Sequence, residues 1–481
     1  MLQLFGTSGI RGSLHKITPQ LLVSFGLALA TFLESEGEVT VASDARTSSQ
    51  ALKNAMSSGL MSGGCAVADL GLVPLPAFAY TTRQRKSKAG VIVTGSHNPP
   101  QDNGLKCYDG RGMEYTPREE EVLEGFLFNE KYKAVDWKKV GNRSFVTNTD
   151  EEYIEAILRQ VPKVEREIKI LVDCANGTAS NVTPIVLSKL GCKVFTINSS
   201  IDGTFPGRLP EPSPENLRNT CRLVREVRAD IGIAHDGDAD RLTVIDGRGR
   251  YITNDSVLAL FAKLLLERHG GGHIVTSIDT SFRIDQVVER VGGALERTRL
   301  GKTHVVLKER PNSKIILCCE PWKIIDTNWG YWGDAIYATA QLIKLLDKSK
   351  CSTAELFKEI PDYPQERIYH PCPDSLKQPT MALIQQRLSE EKGVASIWTY
   401  DGVRVNYEDN SWVLIRPSGT EPKIRIYCEG ATTRRLNELA KQSISLVKTT
   451  IIKEKKQKAR TKESPNDSWQ RTHRTEPCNC M

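Results

Sequence analysis

The chain of 481 residues is 39% hydrophobic and 26% charged, and its formal net charge is +7. This balance is typical of a soluble globular protein of about three or four domains, and no apolar run is long enough to span a membrane. The charge excess is concentrated in residues 451–481, which hold eight Lys and Arg against four Asp and Glu. The rest of the chain has too small an excess of basic residues to indicate a surface that binds nucleic acid. We therefore predict neither a nucleic-acid nor a membrane partner.

The twelve cysteines are scattered along the chain, and several fall in strand-like apolar runs. That distribution is typical of reduced cytosolic thiols rather than of a disulfide framework. The N-terminus reads Met-Leu-Gln-Leu-Phe-Gly and lacks the charged and apolar regions of a secretory signal. We therefore expect a cytoplasmic protein.

Short apolar strands alternate with helices over most of the chain. Strands are predicted at 39–42, 66–70 and 89–93, and the pattern restarts near residue 168 and once more further along. Strands that alternate with helices indicate doubly wound α/β units with parallel strands. From about residue 362 the pattern changes to a helix followed by short strands, which indicates an α+β unit.

The predicted fold is therefore α/β, with three successive similar α/β domains and a smaller C-terminal α+β domain. A polar basic tail follows, and we expect it to be disordered because it lacks the apolar content of a core. The predicted boundaries are 1–148, 149–252, 253–362 and 363–451 for the domains and 452–481 for the tail.

Residues 6–12 read Gly-Thr-Ser-Gly-Ile-Arg-Gly. Three glycines spaced by three allow close approach to the backbone, and Arg11 offers a guanidinium fork that matches a phosphate. No strand of useful length precedes the run, so it is not a dinucleotide-binding fingerprint.

The turn at 94–100 reads Thr-Gly-Ser-His-Asn-Pro-Pro and follows the predicted strand 89–93. Its glycine and its prolines prevent an immediate helix, so Ser96 is expected on a turn at a strand end, where open α/β sheets bind ligands. A serine hydroxyl is a poor nucleophile unless it is activated or already modified. The alternative is a serine that only stabilises its turn.

The segment 235–241 reads His-Asp-Gly-Asp-Ala-Asp-Arg and lies between two short apolar runs. In extended conformation Asp236, Asp238 and Asp240 share one side, and the glycine at 237 lets the chain curl so that they converge. Carboxylates so near to one another repel each other unless a cation lies among them. Oxygen ligands favour Mg²⁺ or Ca²⁺ as that cation. An EF-hand pattern does not fit, and a solvated acidic turn is the alternative.

The segment 416–423 reads Arg-Pro-Ser-Gly-Thr-Glu-Pro-Lys and lies between two predicted strands. Backbone N–H groups around Ser418, two hydroxyl groups and the flanking cations are the components of a phosphate nest. Arg425 would add a second guanidinium fork. A polar hairpin turn is the alternative.

In combination and in this order, the segments resemble the α-D-phosphohexomutase superfamily, which includes phosphoglucomutases, phosphomannomutases and phosphoglucosamine mutases. The resemblance runs from Leu4 to about Leu446 and is carried by residues 6–12, 94–106, 236–241, 297–301 and 416–425. The whole-chain pattern is most similar to phosphoglucosamine mutases of archaeal type, with supporting runs at 103–106 and 202–206.

The resemblance implies four domains around one active-site cleft, which carry in turn a phosphoserine loop, a metal loop, a sugar-binding loop and a phosphate-binding loop. It implies Mg²⁺ held by Ser96, Asp236, Asp238 and Asp240. The implied catalytic residues are Ser96, Arg11, His97, Lys106 and Arg241. The implied substrate contacts are Arg299, Gly301, Glu320, Arg416, Ser418, Gly419, Thr420 and Arg425.

One segment departs from the family pattern. The family's sugar-selecting loop usually reads Gly-Gly-Glu-x-Ser/Asn-Gly, whereas residues 318–323 read Cys-Cys-Glu-Pro-Trp-Lys. Glu320 matches, but Trp322 and Lys323 replace the small polar residue and the glycine. The resemblance therefore defines the reaction type more closely than the sugar.

From the resemblance we expect a Mg²⁺-dependent phosphohexomutase that interconverts a sugar 1-phosphate and 6-phosphate through a phosphoserine enzyme and a bisphosphorylated intermediate. The expected substrate is a hexose or hexosamine phosphate, first of all glucosamine 6-phosphate, with phosphoglucomutase or phosphomannomutase activity as the alternative. Two further alternatives are a non-catalytic sugar-phosphate-binding protein and a phosphatase. A monomer or homodimer is expected.

Overall fold

The computed structural model describes residues 4–311, 313–419 and 421–463, with side chains as far as Lys458. The chain forms two compact units, Met1–Asp362 and Tyr363–Met481. Among the described residues, no helix combines the length and the apolar character that crossing a lipid bilayer requires.

The first sheet contains β1 (Ile10–Ser13), β2 (Glu38–Ser43), β3 (Ala66–Leu72), β4 (Ala89–Val93), β5 (Asp102–Asp109) and β6 (Arg143–Phe145). Its helices are α1 (Pro19–Phe32), α2 (Ser49–Ser62), α3 (Leu75–Gln84) and α4 (Pro117–Phe128). The strand order is β1-β5-β4-β2-β3-β6.

Strands β4, β2, β3 and β6 are parallel, as expected, whereas β5 is antiparallel to both β4 and β1. The turn 94–101 between β4 and β5 is too short for the crossover that a parallel neighbour needs, so the chain turns straight back. The sheet is therefore mixed, and the Ser96 turn lies at one of its strand ends.

The second sheet contains β7 (Lys169–Asp173), β8 (Lys193–Ile197), β9 (Ile231–Ala234), β10 (Thr243–Asp246) and β11 (Tyr251–Ile252). Its strand order is β11-β10-β9-β7-β8, and it is parallel between β7, β8 and β9 and antiparallel beyond β9. The helices here are α5 (Thr149–Gln160), α6 (Thr183–Lys189) and α7 (Arg218–Glu226).

The third sheet, in the order β13-β12-β14-β15, contains β12 (His273–Ser277), β13 (Ala294–Thr298), β14 (Ile315–Glu320) and β15 (Lys323–Asp326). The helices here are α8 (Asn254–His269), α9 (Phe282–Val291), α10 (Thr303–Glu309), α11 (Ala335–Ser349) and α12 (Thr353–Leu356). The second and third sheets share one hydrophobic core, to which Ile154, Val186, Leu258 and Ile343 contribute.

Local signals in the sequence set several helix ends. Helix α4 begins with a capping box, in which the Thr116 hydroxyl accepts from the backbone N–H of Glu119 and the Glu119 carboxylate accepts from that of Thr116. Helix α8 ends at Gly270, whose φ of 65° is the left-handed conformation that glycine adopts at little cost.

The second unit is one antiparallel sheet, in the order β16-β20-β19-β18-β17, covered by two helices. The strands are β16 (Gln365–Pro371), β17 (Val394–Trp398), β18 (Val403–Tyr407), β19 (Trp412–Pro417) and β20 (Lys423–Glu429). The helices are α13 (Asp374–Leu388) and α14 (Thr433–Glu463).

Helix α14 corrects the predicted start of the tail. Residues 452–463 were expected to be disordered, but the helix runs on through them to Glu463. Val447 and Ile451 bury their side chains in the core, and the Lys, Glu and Gln residues that follow favour helix. Residues 464–481 lie outside the described part of the chain, and the predicted domain boundaries stay predictions.

Candidate active site

Ser96 occupies the turn that follows β4, where its backbone is left-handed with φ 51°. Its side chain is buried, and its hydroxyl donates to Oδ2 of Asp236 at 3.0 Å. The backbone N–H of Ser96 donates to the Thr94 hydroxyl at 2.8 Å, and that hydroxyl contacts Oδ2 of Asp238 at 3.0 Å. The turn therefore places Ser96 directly against the loop that carries the aspartates.

Asp236, Asp238 and Asp240 converge after β9, with one carboxylate oxygen of each within 4.8 Å of the others. The loop passes so close to the Ser96 turn that a Cβ at Gly237 would lie 2.8 Å from the carbonyl oxygen of Ser96. A glycine is therefore required at 237, and the two loops form one site.

The aspartate cluster is buried and electrostatically strained. Burial, followed by the charges of Asp238 and Asp240, raises the pKa of Asp236 well above its usual value. Burial, the largest single influence, opposes ionisation of Asp240, but the positive charges of Lys106, Lys323 and Arg241 together outweigh it, so the pKa of Asp240 is held below its usual value. A cation among the three carboxylates would relieve the remaining repulsion.

The donor set fits a hard divalent cation. The Oδ1 atoms of Asp238 and Asp240 are buried and make no hydrogen bond with any described residue. The Lys106 ammonium lies 3.1 Å from Oδ2 of Asp238 and 2.8 Å from Oδ2 of Asp240 and neutralises part of their charge. Three converging carboxylates, two of which keep a buried oxygen without a hydrogen-bond partner, are suitable ligands for Mg²⁺.

His97 lies between Ser96 and the guanidinium groups of Arg11 and Arg241. Its Nδ1 atom is 3.3 Å from the Ser96 hydroxyl oxygen and 3.5 Å from a guanidinium nitrogen of Arg11, and its Nε2 atom is 3.4 Å from a guanidinium nitrogen of Arg241. Burial, and then the charges of Arg241 and Arg11, lower the pKa of His97 well below its usual value. The imidazole is therefore neutral at physiological pH.

The sugar-selecting loop of the family corresponds here to the end of β14 and the turn into β15. The Glu320 carboxylate accepts hydrogen bonds from the backbone N–H groups of Gly301 at 2.9 Å and Thr303 at 3.3 Å. Glu320 and Gly301 are thus brought together, while Arg299 is exposed on the turn between β13 and α10. Burial raises the pKa of the Glu320 carboxyl.

Trp322 and Lys323 reach the aspartate loop. The Lys323 ammonium lies 3.6 Å from Oδ2 of Asp240 and 3.6 Å from Oε2 of Glu114. The Trp322 ring lies 5.2 Å from the guanidinium carbon of Arg241, a cation–π distance. Sequence reasoning treated these two residues only as a departure and did not identify Glu114, because an isolated glutamate carries no signal of its own.

The phosphate-binding candidates of the second unit gather around the turn from β19 to β20. A guanidinium nitrogen of Arg425 lies 3.5 Å from the Ser418 hydroxyl oxygen, and Arg416 pairs with Asp401 at 3.0 Å. Lys377 of α13, which the sequence did not reveal, donates to the carbonyl oxygen of Ser418 at 2.5 Å. A Cβ at Gly419 would meet open space, and Thr420 lies outside the described residues.

Comparison with known proteins matches four consecutive segments of the chain. Four family descriptions match in order: phosphoglucomutase/phosphomannomutase alpha/beta/alpha domain I at residues 2–134, domain II at 151–249, domain III at 253–363 and the C-terminal domain at 371–445.

Similar proteins match over nearly the whole chain. A phosphopentomutase of Thermococcus kodakarensis is 44% identical over 95% of this chain and 100% of its own length. A "Probable phosphoglucosamine mutase" of Methanothermobacter thermautotrophicus is 39% identical over 93% of this chain and 98% of its own. A solved phosphoglucomutase/phosphomannomutase family protein of Burkholderia thailandensis superposes with a TM-score of 0.82 at 25% identity, covering 93% of this chain and 97% of that one.

The fold, the site and these relatives define an isomerase that moves a phosphoryl group within a sugar phosphate. The chain belongs to the phosphoglucomutase/phosphomannomutase family of the α-D-phosphohexomutase superfamily.

Proposed function

We propose that the protein is a Mg²⁺-dependent sugar-phosphate mutase that works through phosphorylated Ser96. The observation that carries the proposal is the 3.0 Å contact between the Ser96 hydroxyl and Asp236 inside the buried three-aspartate cluster. A serine that only stabilised a turn would have no need of three carboxylates whose repulsion opposes folding. Binding alone would need neither group, which argues against a non-catalytic sugar-phosphate-binding protein.

In the proposed cycle, Ser96 gives its phosphoryl group to a hydroxyl of the bound sugar monophosphate. The Oγ–phosphorus bond breaks as a bond from the sugar oxygen forms, the proton of the sugar hydroxyl ends on the Oγ atom of Ser96, and the product is a bisphosphate. The bisphosphate then reverses its orientation in the site and returns its other phosphoryl group to Ser96. Such chemistry depends mainly on positioning and on stabilisation of charge.

Asp236, Asp238 and Asp240, with a phosphoseryl oxygen, would hold Mg²⁺, which when bound supplies charge neutralisation at the transferring phosphoryl group. Arg11, Lys106 and Arg241 would supply further positive charge around that group. His97 would contact the phosphoseryl group. Glu320 and Gly301 would bind the sugar, together with Arg299.

A mutase must hold the phosphate that is not being transferred in either substrate orientation. We propose that the loop around Arg416, Ser418, Gly419, Thr420 and Arg425 does so. Support comes from the guanidinium group of Arg425 beside the Ser418 hydroxyl and from the open space at Gly419. Arg416 is paired with Asp401, so a phosphate would have to compete with a carboxylate for it.

For the sugar, glucosamine 6-phosphate is our first proposal, because the chain is 39% identical over nearly its whole length to relatives named as probable phosphoglucosamine mutases. A pentose phosphate is the second candidate. The 44% identity to a phosphopentomutase favours it, and so does Trp322, whose bulk replaces a small residue in the sugar-selecting loop. Glucose and mannose phosphates stay as further alternatives, and we propose a cytoplasmic monomer or homodimer.

Replacement of Ser96 by alanine tests the proposal. Ser96→Ala should abolish turnover, while mass spectrometry of the wild-type protein should find phosphate on Ser96. Ser57→Ala, a change at a buried serine of α2, is the matched control and should keep its activity. Near-normal turnover by purified Ser96→Ala would refute the phosphoserine mechanism.

A panel of glucosamine, glucose, mannose and pentose phosphates would identify the sugar. Isomerised product distinguishes a mutase from a phosphatase, which would release free phosphate from every substrate that it accepts. Binding without either product would indicate the non-catalytic alternative.

A further inference from the structure

Arg46 follows β2 and is buried at the base of the Ser96 turn. Its Nε atom donates to Oδ2 of Asp44 at 3.0 Å. The same carboxylate oxygen accepts from the Thr94 hydroxyl at 2.9 Å and from the backbone N–H of Gly95 at 3.1 Å. Asp44 and Arg46 therefore connect the end of β2 to the beginning of the turn that carries Ser96.

The other four N–H donors of the Arg46 guanidinium group all go to backbone carbonyl oxygens of that turn and of the start of β5. The acceptors are Ser96 at 3.0 Å, Asn98 at 2.6 Å, Asp102 at 2.8 Å and Pro99. All five donors of one planar group are thus used, which a lysine with its three donors on a single nitrogen could not reproduce.

The guanidinium group has two further close neighbours. The backbone of Gly95 lies so near that a Cβ there would come within 2.4 Å of the guanidinium carbon. The ring of Phe205 has its centroid 5.2 Å from the same carbon. Phe205 belongs to the segment between β8 and α7. The part of the chain that forms the second sheet therefore contacts Arg46, and through Arg46 it supports the Ser96 turn.

The Ser96 backbone needs such support. A non-glycine residue with φ 51° is in a strained conformation, which persists only where its surroundings hold it. The carbonyl of Ser96 is itself one of the acceptors of Arg46. The conformation that directs the Ser96 hydroxyl at Asp236 is therefore the one that Arg46 binds.

We propose that Arg46 is a positioning residue for phosphoryl transfer, which holds the Ser96 turn in its reactive conformation, and that Phe205 acts on the turn through Arg46. The proposal rests on the phosphoserine role proposed for Ser96. It concerns the geometry of the transfer step and not the binding of the sugar phosphate.

Arg143 provides a matched control within the same sheet. It also pairs with a buried aspartate, Asp69, and its guanidinium carbon lies 4.9 Å above the ring of Phe145. Its further hydrogen bond goes to the Asn54 side chain at 3.2 Å. An Arg143→Lys variant therefore reproduces the loss of an arginine–aspartate–phenylalanine arrangement without altering the Ser96 turn.

The first experiment compares Arg46→Lys with Arg143→Lys in the full-length protein, with phosphate on Ser96 measured by mass spectrometry. Lysine keeps the charge beside Asp44, so the fold should survive. Since a displacement of about 1 Å can cost a reaction about 100-fold, kcat per phosphorylated enzyme should fall by about 10- to 100-fold in Arg46→Lys, with KM for the sugar phosphate within about twofold of wild type. Arg143→Lys should lose thermal stability and keep kcat.

The second experiment is a double-mutant cycle with Phe205→Leu. If the ring acts through the guanidinium group, Phe205→Leu should lower kcat on its own but add little to Arg46→Lys. Fully additive losses would overturn the proposed role of Phe205. A wild-type kcat in Arg46→Lys, or an equal loss of kcat in Arg143→Lys, would overturn the role of Arg46. Failure of the phosphoserine mechanism itself is distinct, because it would appear as an active Ser96→Ala variant.

Discussion

The ammonium nitrogen of Lys323 lies 3.6 Å from Oδ2 of Asp240, so a side chain from the sugar-selecting loop reaches the aspartate cluster. The backbone makes the same connection, because the N–H of Leu242 donates to the carbonyl oxygen of Trp322 at 3.0 Å. At the position of Lys323 the family pattern has a glycine. In this chain, therefore, the loop proposed to select the sugar is connected directly to the loop proposed to hold the metal.

Trp322→Ser tests whether the loop decides the substrate. A serine restores the small residue of the family pattern and leaves Lys323 in place. Because a change of pocket size discriminates between ligands by about 10- to 200-fold per methylene-sized group, kcat/KM for glucosamine 6-phosphate should rise at least about tenfold relative to ribose 5-phosphate. The measurement is steady-state kinetics with both substrates.

The control for that change is Trp329→Phe. Trp329 stacks on Tyr337 with ring centroids 4.4 Å apart and donates to Asp334, and neither of these contacts is with residues 318–323. This variant should lose stability without altering the ratio of the kcat/KM values for the two substrates. If Trp322→Ser changed kcat/KM for both substrates by the same factor, the tryptophan would not select the sugar.

Asp238→Asn should weaken the response to Mg²⁺. The change removes one of the three proposed anionic oxygen ligands, and we expect at least about tenfold weaker binding of the ion by calorimetry, together with a higher Mg²⁺ requirement for turnover. Asp246→Asn, at a buried aspartate of β10 that pairs with Arg250, is the control and should bind Mg²⁺ as the wild type does. Full activity of the wild type after chelation of divalent cations would contradict the metal proposal.

The strand-end turns that carry Ser96 and the aspartates were predictable from sequence because their signals are local. In each case an apolar run is followed by glycine, with prolines or charged residues next to it. The left-handed backbone of Ser96 and the close approach of the chain at Gly237 agree with the tight turns that this pattern predicts. Strand β5 was not predicted, and it pairs antiparallel with β4 because the turn between the two strands is too short for a crossover.

Arg46 and Lys377 escaped the sequence reasoning for a different reason. Their main partners are backbone carbonyl groups far along the chain, such as those of Ser96 for Arg46 and Ser418 for Lys377. A carbonyl group is present at every residue and leaves no trace in the sequence. Strand β16 was missed because its half-exposed, polar residues lack the apolar alternation of a strand.

Glu120 should make stability depend on pH. Burial raises its pKa to about 7, although Lys302 at 3.4 Å opposes the shift. Because the folded pKa lies above the unfolded value, the unfolded state binds fewer protons between about pH 4.5 and 7, so this contribution to stability falls as the pH rises through that range. The loss is at most about 3 kcal/mol, since one pKa unit corresponds to about 1.4 kcal/mol.

Urea unfolding at pH 5 and pH 8 measures this effect. The wild type should lose more stability between the two values than Glu120→Gln does, and the difference between the two proteins isolates the Glu120 contribution. Glu121→Gln, an equal change of charge at an exposed neighbour, should behave as the wild type. An identical pH dependence of wild type and Glu120→Gln would contradict the raised pKa.

Arg416→Ala tests the proposed grip on the phosphate that is not transferred. Loss of a guanidinium–phosphate contact should cost on the order of 2–4 kcal/mol, by analogy with truncation of a buried charge pair. Since about 1.4 kcal/mol corresponds to a factor of ten, kcat/KM should fall by about 30- to 1000-fold, with a higher KM. Phosphate on Ser96 should stay, because the phosphoserine turn belongs to the other compact unit of the chain.

The control for Arg416 is Arg435→Ala, which removes another arginine–aspartate pair of the same unit, with Asp409 at 3.0 Å. It should change kcat/KM by less than about twofold, because a partly exposed ion pair contributes little. Steady-state kinetics and phosphoserine occupancy are measured on both variants in parallel. An unchanged KM in Arg416→Ala, or a variant that lacks phosphate on Ser96, would count against this loop as the second phosphate site. A loss confined to Arg416→Ala would instead assign the loop to the substrate phosphate, since the two variants lose the same kind of pair.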